Sequence, residues 1–89
     1  MSNAGCRWNS WNLDHATRHG VTVAEIESIV CGGKREEHVG EGKYRIAGRG
    51  TGDRWIQAIY FYDPEQTVYV IHARPLNERE KRRERRSRR

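Results

Sequence analysis

Lys43 to Arg74 reads KYRIAGRGTGDRWIQAIYFYDPEQTVYVIHAR and is the only long region dense in β-branched and aromatic residues. Such residues suit a pleated, half-buried surface. Successive side chains of a strand point to opposite faces. In residues 43–49 this groups Lys43, Arg45, Ala47 and Arg49 opposite Tyr44 and Ile46. In the last segment it predicts Val68, Val70, His72 and Arg74 on one face and Tyr69, Ile71 and Ala73 on the other. Between them, Trp55 to Tyr62 is nearly apolar on both faces, the pattern of a central strand. Gly48, Gly50 and Gly52 around Thr51 predict a tight hairpin. Asp63-Pro64-Glu65-Gln66 predicts a turn with Pro64 at its second position, joining strand 55–62 to strand 67–74. The glycines do not form a phosphate loop, because no helix follows and no Gly-Lys-Ser/Thr is present.

Upstream, a short helix fits between Asn12 as N-cap and Gly20 as its terminator. Trp8 and Trp11 are expected to anchor it on the sheet. His15 and His19 stand at the spacing of a helical metal pair, but no acidic residue follows at a matching distance. Local hydrogen bonding is the first reading of both, with metal ligation and catalysis as the alternatives. Thr22 and Glu25 form a capping box, and Val23, Ile26, Ile29 and Val30 make an apolar stripe on a second helix. Gly32-Gly33 ends it. A short charged edge strand is expected around residues 36–39. Downstream, Asn77 caps a third helix, with Glu80 three residues on and almost no apolar face beyond Leu76. The expected fold class is α+β: a small antiparallel sheet of three to four strands, two N-terminal helices packed on it, and a C-terminal helix.

The chain of 89 residues is 35% hydrophobic and 33% charged, which implies a thin core in a single domain. Residues 78–89 hold eight Lys or Arg against three Glu, which accounts for the whole formal charge of +5. The division is a domain over residues 6–77 and a basic helix and tail over 78–89, frayed from Arg85 onward. Such a tail favours nucleic acid or an acidic protein. Two cysteines, Cys6 and Cys31, lie far apart without a paired-cysteine motif, which excludes a zinc ribbon. With no apolar leader and no run of about 20 apolar residues, a reduced cytoplasmic chain without a membrane partner is expected.

Three motifs in order resemble the BrnT family of type II toxins, ribonucleases related to the RelE/ParE superfamily. The first is Trp11-Asn12-x-x-His15-x-x-Arg18-His19-Gly20-Val21 with Glu25 and Glu27. The second is Tyr44-Arg45-x-x-Gly48-Arg49, and the third is Val70-Ile71-His72-Ala73-Arg74-Pro75 with Glu78 to Glu80 behind it. The resemblance covers roughly residues 8 to 86. It implies helices packed on a compact sheet and an endoribonuclease that arrests growth. It also implies a cognate ribbon-helix-helix antitoxin, and operator DNA bound only by the toxin–antitoxin complex.

Metal-free RNA cleavage uses the 2′-OH as nucleophile and needs a base, a cation for the phosphorane charge and an acid for the leaving oxygen. No cofactor is called for. Arg45, Arg49 and Arg74 are the candidate charge clamps, because guanidinium groups stay protonated. His72 has the titration range for acid or base work. Glu80 is a candidate base or an orienting partner for an arginine. Against this stands a structural role, in which Arg74 pairs with Glu80 or Glu78 and fastens the last helix. A competing function is a non-catalytic module that docks protein on the sheet and nucleic acid on the tail.

Overall fold

A computed structural model describes residues 5–32 and 36–87. The elements are α1 (Ser10–Thr17), α2 (Val23–Cys31), β1 (Glu37–Gly40), β2 (Lys43–Arg49), β3 (Trp55–Tyr62), β4 (Val68–Pro75) and α3 (Glu78–Ser87). The strands form an antiparallel sheet in the order β1-β2-β3-β4. The expected α+β architecture is therefore present. Gly33 and the neighbouring Lys34 and Arg35 lie outside the described residues, as do Arg88 and Arg89.

Ile26 and Ile29 of α2, with Ala16 and Val21, cover Ile46, Ile56, Ala58, Tyr60, Val68, Val70 and Ala73. This set does not follow strict alternation along β4. Ile59 pairs with His72 but Tyr60 pairs with Val70, so Ile71 is one extra residue on β4. The bulge inverts the facing of everything after it. Ala73 joins Val68 and Val70 in the core, whereas His72 and Arg74 stand opposite Ile59 and Gln57 on the outer face. The alternation predicted from sequence thus fails at Ile71.

The first helix also begins earlier than expected. Its N-cap is Asn9, and Asn12 is the third helical residue. The Asn12 side chain is fully buried. It accepts from the Asn9 backbone N–H at 2.7 Å and donates to the carbonyls of Arg7 and Val70 at 3.0 Å each. One amide thereby ties the helix start to β4. Trp8 packs against the core as an anchor and donates its indole N–H to Glu27 of α2 at 2.8 Å. Trp11, expected to be a second anchor, is 52% exposed.

The β2–β3 connection is a five-residue loop over 50–54 rather than a tight hairpin, closed by Gly50 N–H donating to the Arg54 carbonyl at 3.1 Å. Its left-handed residue is Asp53, at φ 61°. The glycines answer a packing demand. A Cβ at Gly52 would lie 2.5 Å from Glu25 Oε2, and one at Gly50 would lie 3.2 Å from Glu25 Cβ. Glu25 is buried there, caps α2 with Thr22, and receives Arg54 Nε at 2.8 Å and Nη2 at 3.0 Å. The 63–66 turn forms as expected. Buried Asp63 accepts from the Glu65 and Thr67 backbone N–H groups, the Thr67 hydroxyl and Arg7 Nε.

Helix α3 starts with the expected box: Glu80 N–H donates to Asn77 Oδ1 and Asn77 N–H to Glu80 Oε1, both at 2.9 Å. Arg85 and Arg86 lie within α3. Among the described residues no helix is long and apolar enough to cross a membrane.

Replacing Asn12 with Ala removes both donors and one acceptor from a dry site. We expect a loss of about 2–3 kcal/mol in unfolding free energy, measured by urea denaturation. An unchanged urea midpoint would contradict this account of the α1–β4 junction.

Candidate functional site

The outer face of the sheet carries polar groups in adjacent rows. Arg45, Ile59 and His72 are cross-strand neighbours, and Ala47, Gln57 and Arg74 form the next row. Gln57 is only 8% exposed and accepts Arg45 Nε at 2.8 Å. Helix α3 crosses above these rows. Arg74 donates Nη1 and Nη2 to the two Glu80 carboxylate oxygens at 2.9 and 2.7 Å. Arg45 donates Nη2 to Glu84 at 3.0 Å and Nη1 to Glu37 at 3.2 Å.

The structure therefore brings Arg45, His72 and Arg74 onto one sheet face, with Glu80 reaching Arg74 from α3. Arg49 stands apart, its guanidinium turned to Asp53 at 2.7 Å beside the β2–β3 loop. The structural role weighed from the sequence is also real: Arg74 and Glu80 do pair. That does not disqualify Arg74, because a guanidinium fork that fits a carboxylate also fits two oxygens of a phosphate.

His72 does not stand alone. The His19 ring, just beyond α1, lies 5.1 Å from it between centroids. Burial, then His19, then Arg74 push the His72 imidazole below its ordinary value of 6.5. Its neutral, proton-accepting form therefore prevails at neutral pH. Glu80 behaves differently. The Arg74 hydrogen bonds, then the Asn77 backbone, hold its carboxyl down to about 2. A carboxylate so acidic is a poor base near neutrality, and its geometry fits the orienting role. The same pairing raises the Arg74 guanidinium further.

The sequence reading missed Gln57 and Glu84 as members of this network. Gln57 had one signal, a lone amide in an otherwise apolar central strand. Glu84 had another, its place one helical turn after Glu80. The nearness of His19 to His72 had no local signal, because it depends on how α1 lies against β4. His15 donates its Nδ1–H to the Trp11 carbonyl at 2.8 Å, the local role first expected of it. No group of three or more His, Cys, Asp or Glu able to hold a metal occurs among the described residues.

Comparison of the chain with protein-family models, with curated proteins and with solved structures finds no match in any of the three. The family resemblance thus rests on the three ordered motifs.

Glu25, Asp63 and Glu80 each have carboxyls held down to about 2. For Glu25 the main cause is the hydrogen bonding of Arg54, and for Asp63 that of Thr67. Folding favours the ionised forms, so the stability they contribute is complete above the ordinary values of 4.5 for Glu and 3.8 for Asp. It drains away as the pH falls toward 2. Urea midpoints should hold level above about pH 7, dip slightly as the unfolded chain protonates His72, and drop steadily below about pH 5. Glu25→Gln should flatten part of that drop. A midpoint independent of pH in this window would refute the pairing.

Proposed function

We propose that this chain is a BrnT-like toxin of a type II toxin–antitoxin system, an endoribonuclease that cleaves RNA and inhibits translation and growth. The observation that carries the reading is the juxtaposition of His72 and Arg74 on the outer face, with His19 beside them and Arg45 in the adjoining row. The order of helices and strands, and the three motifs of the sequence, support it as well.

In this reading His72 takes the proton of the 2′-OH, as its neutral ring allows. The resulting oxyanion attacks the adjacent phosphorus, and the 5′ oxygen leaves. Arg74 stabilises the phosphorane charge, and Arg45 supplies a second cation one row away. The substrate phosphate takes the place of the Glu80 carboxylate on the Arg74 fork. His19, beside His72, would return a proton to the leaving oxygen. The scheme calls for no metal, so cleavage should survive chelation. A ribbon-helix-helix antitoxin would neutralise the protein, and operator DNA would be bound by the complex.

The second reading is a non-catalytic protein- and nucleic-acid-binding module. One observation favours it: Arg45, Arg49 and Arg74 all already hold carboxylates. Meanwhile Arg79, Arg82, Arg83, Arg85 and Arg86 of α3 are exposed. That module would bind RNA with a steep salt dependence and leave it whole.

The test is inducible expression in a bacterium with total RNA followed over time, beside purified protein acting on single-stranded RNA in chelator. Wild type should arrest growth and cut RNA. Arg74→Ala, shown by circular dichroism to be folded, should cut about 10²- to 10³-fold more slowly. The acidic limb of the wild-type rate profile should fall below the ordinary imidazole value of 6.5, following the lowered His72, and should vanish in His72→Ala. Intact RNA with wild-type protein, and tight binding lost on removal of residues 78–89, would establish the module instead.

A further inference from the structure

One aromatic feature belongs neither to the core nor to the arginine rows. Trp11 presents half of its surface to solvent, yet its ring is held in place. His15, one turn along α1, stacks on it at 3.8 Å between centroids and 17° from parallel. Tyr69 of β4 lies 6.5 Å away on a plane only 13° from that of Trp11. The Tyr69 hydroxyl donates to Asn9 Oδ1 at 3.2 Å, which fixes the phenol against the start of α1. The Arg7 guanidinium sits 4.5 Å over the Tyr69 ring, and Phe61 lies 5.2 Å beyond.

Two rails therefore run side by side. Trp11, His15 and His19 follow one another along α1 and the turn after it, while Tyr69 and His72 follow one another along β4. The rails meet at Trp11–Tyr69 and again at His19–His72. The two meeting points are about 10 Å apart, three strand residues at about 3.3 Å each. The far one is the proposed reaction centre.

We propose that the strip formed by Trp11, His15 and Tyr69 is a base-stacking subsite for single-stranded RNA, adjoining the His72–Arg74 centre. It rests on the reading of the chain as a protein that acts on RNA and names where the substrate is gripped. Near-parallel, pre-positioned rings suit a flat base, because every base has a π-face and the side chains lose little freedom on binding it. Arg7 adds a cation beside the same stack. The charges along the strip are balanced, since Arg7 holds Asp63 and Arg18 holds Asp14. Its contribution therefore comes from stacking and resists salt, unlike that of the basic α3.

The test uses a short 2′-O-methyl RNA, which lacks the nucleophile and cannot be cleaved, so that binding is read apart from catalysis. Affinity is measured by fluorescence anisotropy at a salt concentration that screens α3, for wild type, Trp11→Ala and Trp11→Phe. An abasic strand of equal length is the companion probe. Trp11→Ala should bind about 5- to 100-fold more weakly, and Trp11→Phe should stay close to wild type. The abasic strand should bind wild type no better than it binds Trp11→Ala. Equal binding by wild type and Trp11→Ala, or equal binding of abasic and ordinary strands, overturns the subsite whatever the nuclease assay gives. So does a wild type that binds neither strand. A sedimentation profile in which wild type is dimeric and Trp11→Ala monomeric overturns it too, and assigns the strip to a second copy. Base-dependent binding without cleavage of ordinary RNA would keep the subsite and remove the nuclease.

Discussion

A single extra residue on β4 governs the arrangement of this protein. Without a bulge at Ile71, the face that carries Val68 and Val70 would continue through His72 and Arg74. A guanidinium and an imidazole would then enter a dry core, where an unpaired charge is strongly unfavourable. With the bulge, Ala73 fills the core position. His72 and Arg74 emerge on the opposite face, level with Ile59 and Gln57. The same shift sets Tyr69 and His72 three residues apart on the outer side, alongside α1. Bulges commonly re-aim side chains beside functional sites, and here the re-aimed residues are the ones with chemistry to offer.

The outer face is closed by an unusual helix. The α3 sequence, Glu-Arg-Glu-Lys-Arg-Arg-Glu-Arg-Arg-Ser, offers no apolar side chain to the sheet. What holds it is buried Leu76 at its root together with the Arg74–Glu80 and Arg45–Glu84 pairs. Partly exposed ion pairs of this kind contribute little each and weaken in salt. Helix α3 is therefore an element expected to open at low free energy, independently of the core. Its opening uncovers two guanidinium groups on neighbouring rows. In the proposed function a polyanion would compete for them, because phosphate offers the guanidinium fork the same oxygen geometry as a carboxylate.

Much of the fold was legible in the chain because its signals are local. The Thr22–Glu25 and Asn77–Glu80 boxes, the Ile26–Ile29 stripe and the Asp63–Gln66 turn each depend on residues within a few positions of one another. The misreadings share the opposite property. Asn12 looks like an N-cap by type, yet its burial against Val70 is set by a strand 58 residues away. The glycines of the β2–β3 loop look like turn residues, but their lack of a side chain serves the approach of Glu25. The Ile71 bulge leaves only an indirect trace, since strict alternation would set His72 and Arg74 on the core face with Val68 and Val70 without saying where the extra residue falls. Of the site, the residue types were legible and their grouping in part. The separation of Arg49 and the arrival of His19 beside His72 depend on tertiary placement alone.

The electrostatics of the histidine pair bear on which function this face can serve. A proton on His19 disfavours one on His72, and Arg74 and burial act in the same direction. These effects favour the neutral form of His72. A phosphate that displaces Glu80 brings negative charge against the same imidazoles and favours the protonated form. In the proposed function this would couple the proton on His72 to the arrival of a phosphodiester beside the Arg74 guanidinium. A pure docking surface gains nothing from such a coupling, because its affinity needs fixed charge rather than movable protons. The pairing of His19 with His72 is thus the feature of this face that the proposed RNA-cleaving reading uses and the binding-module reading does not need.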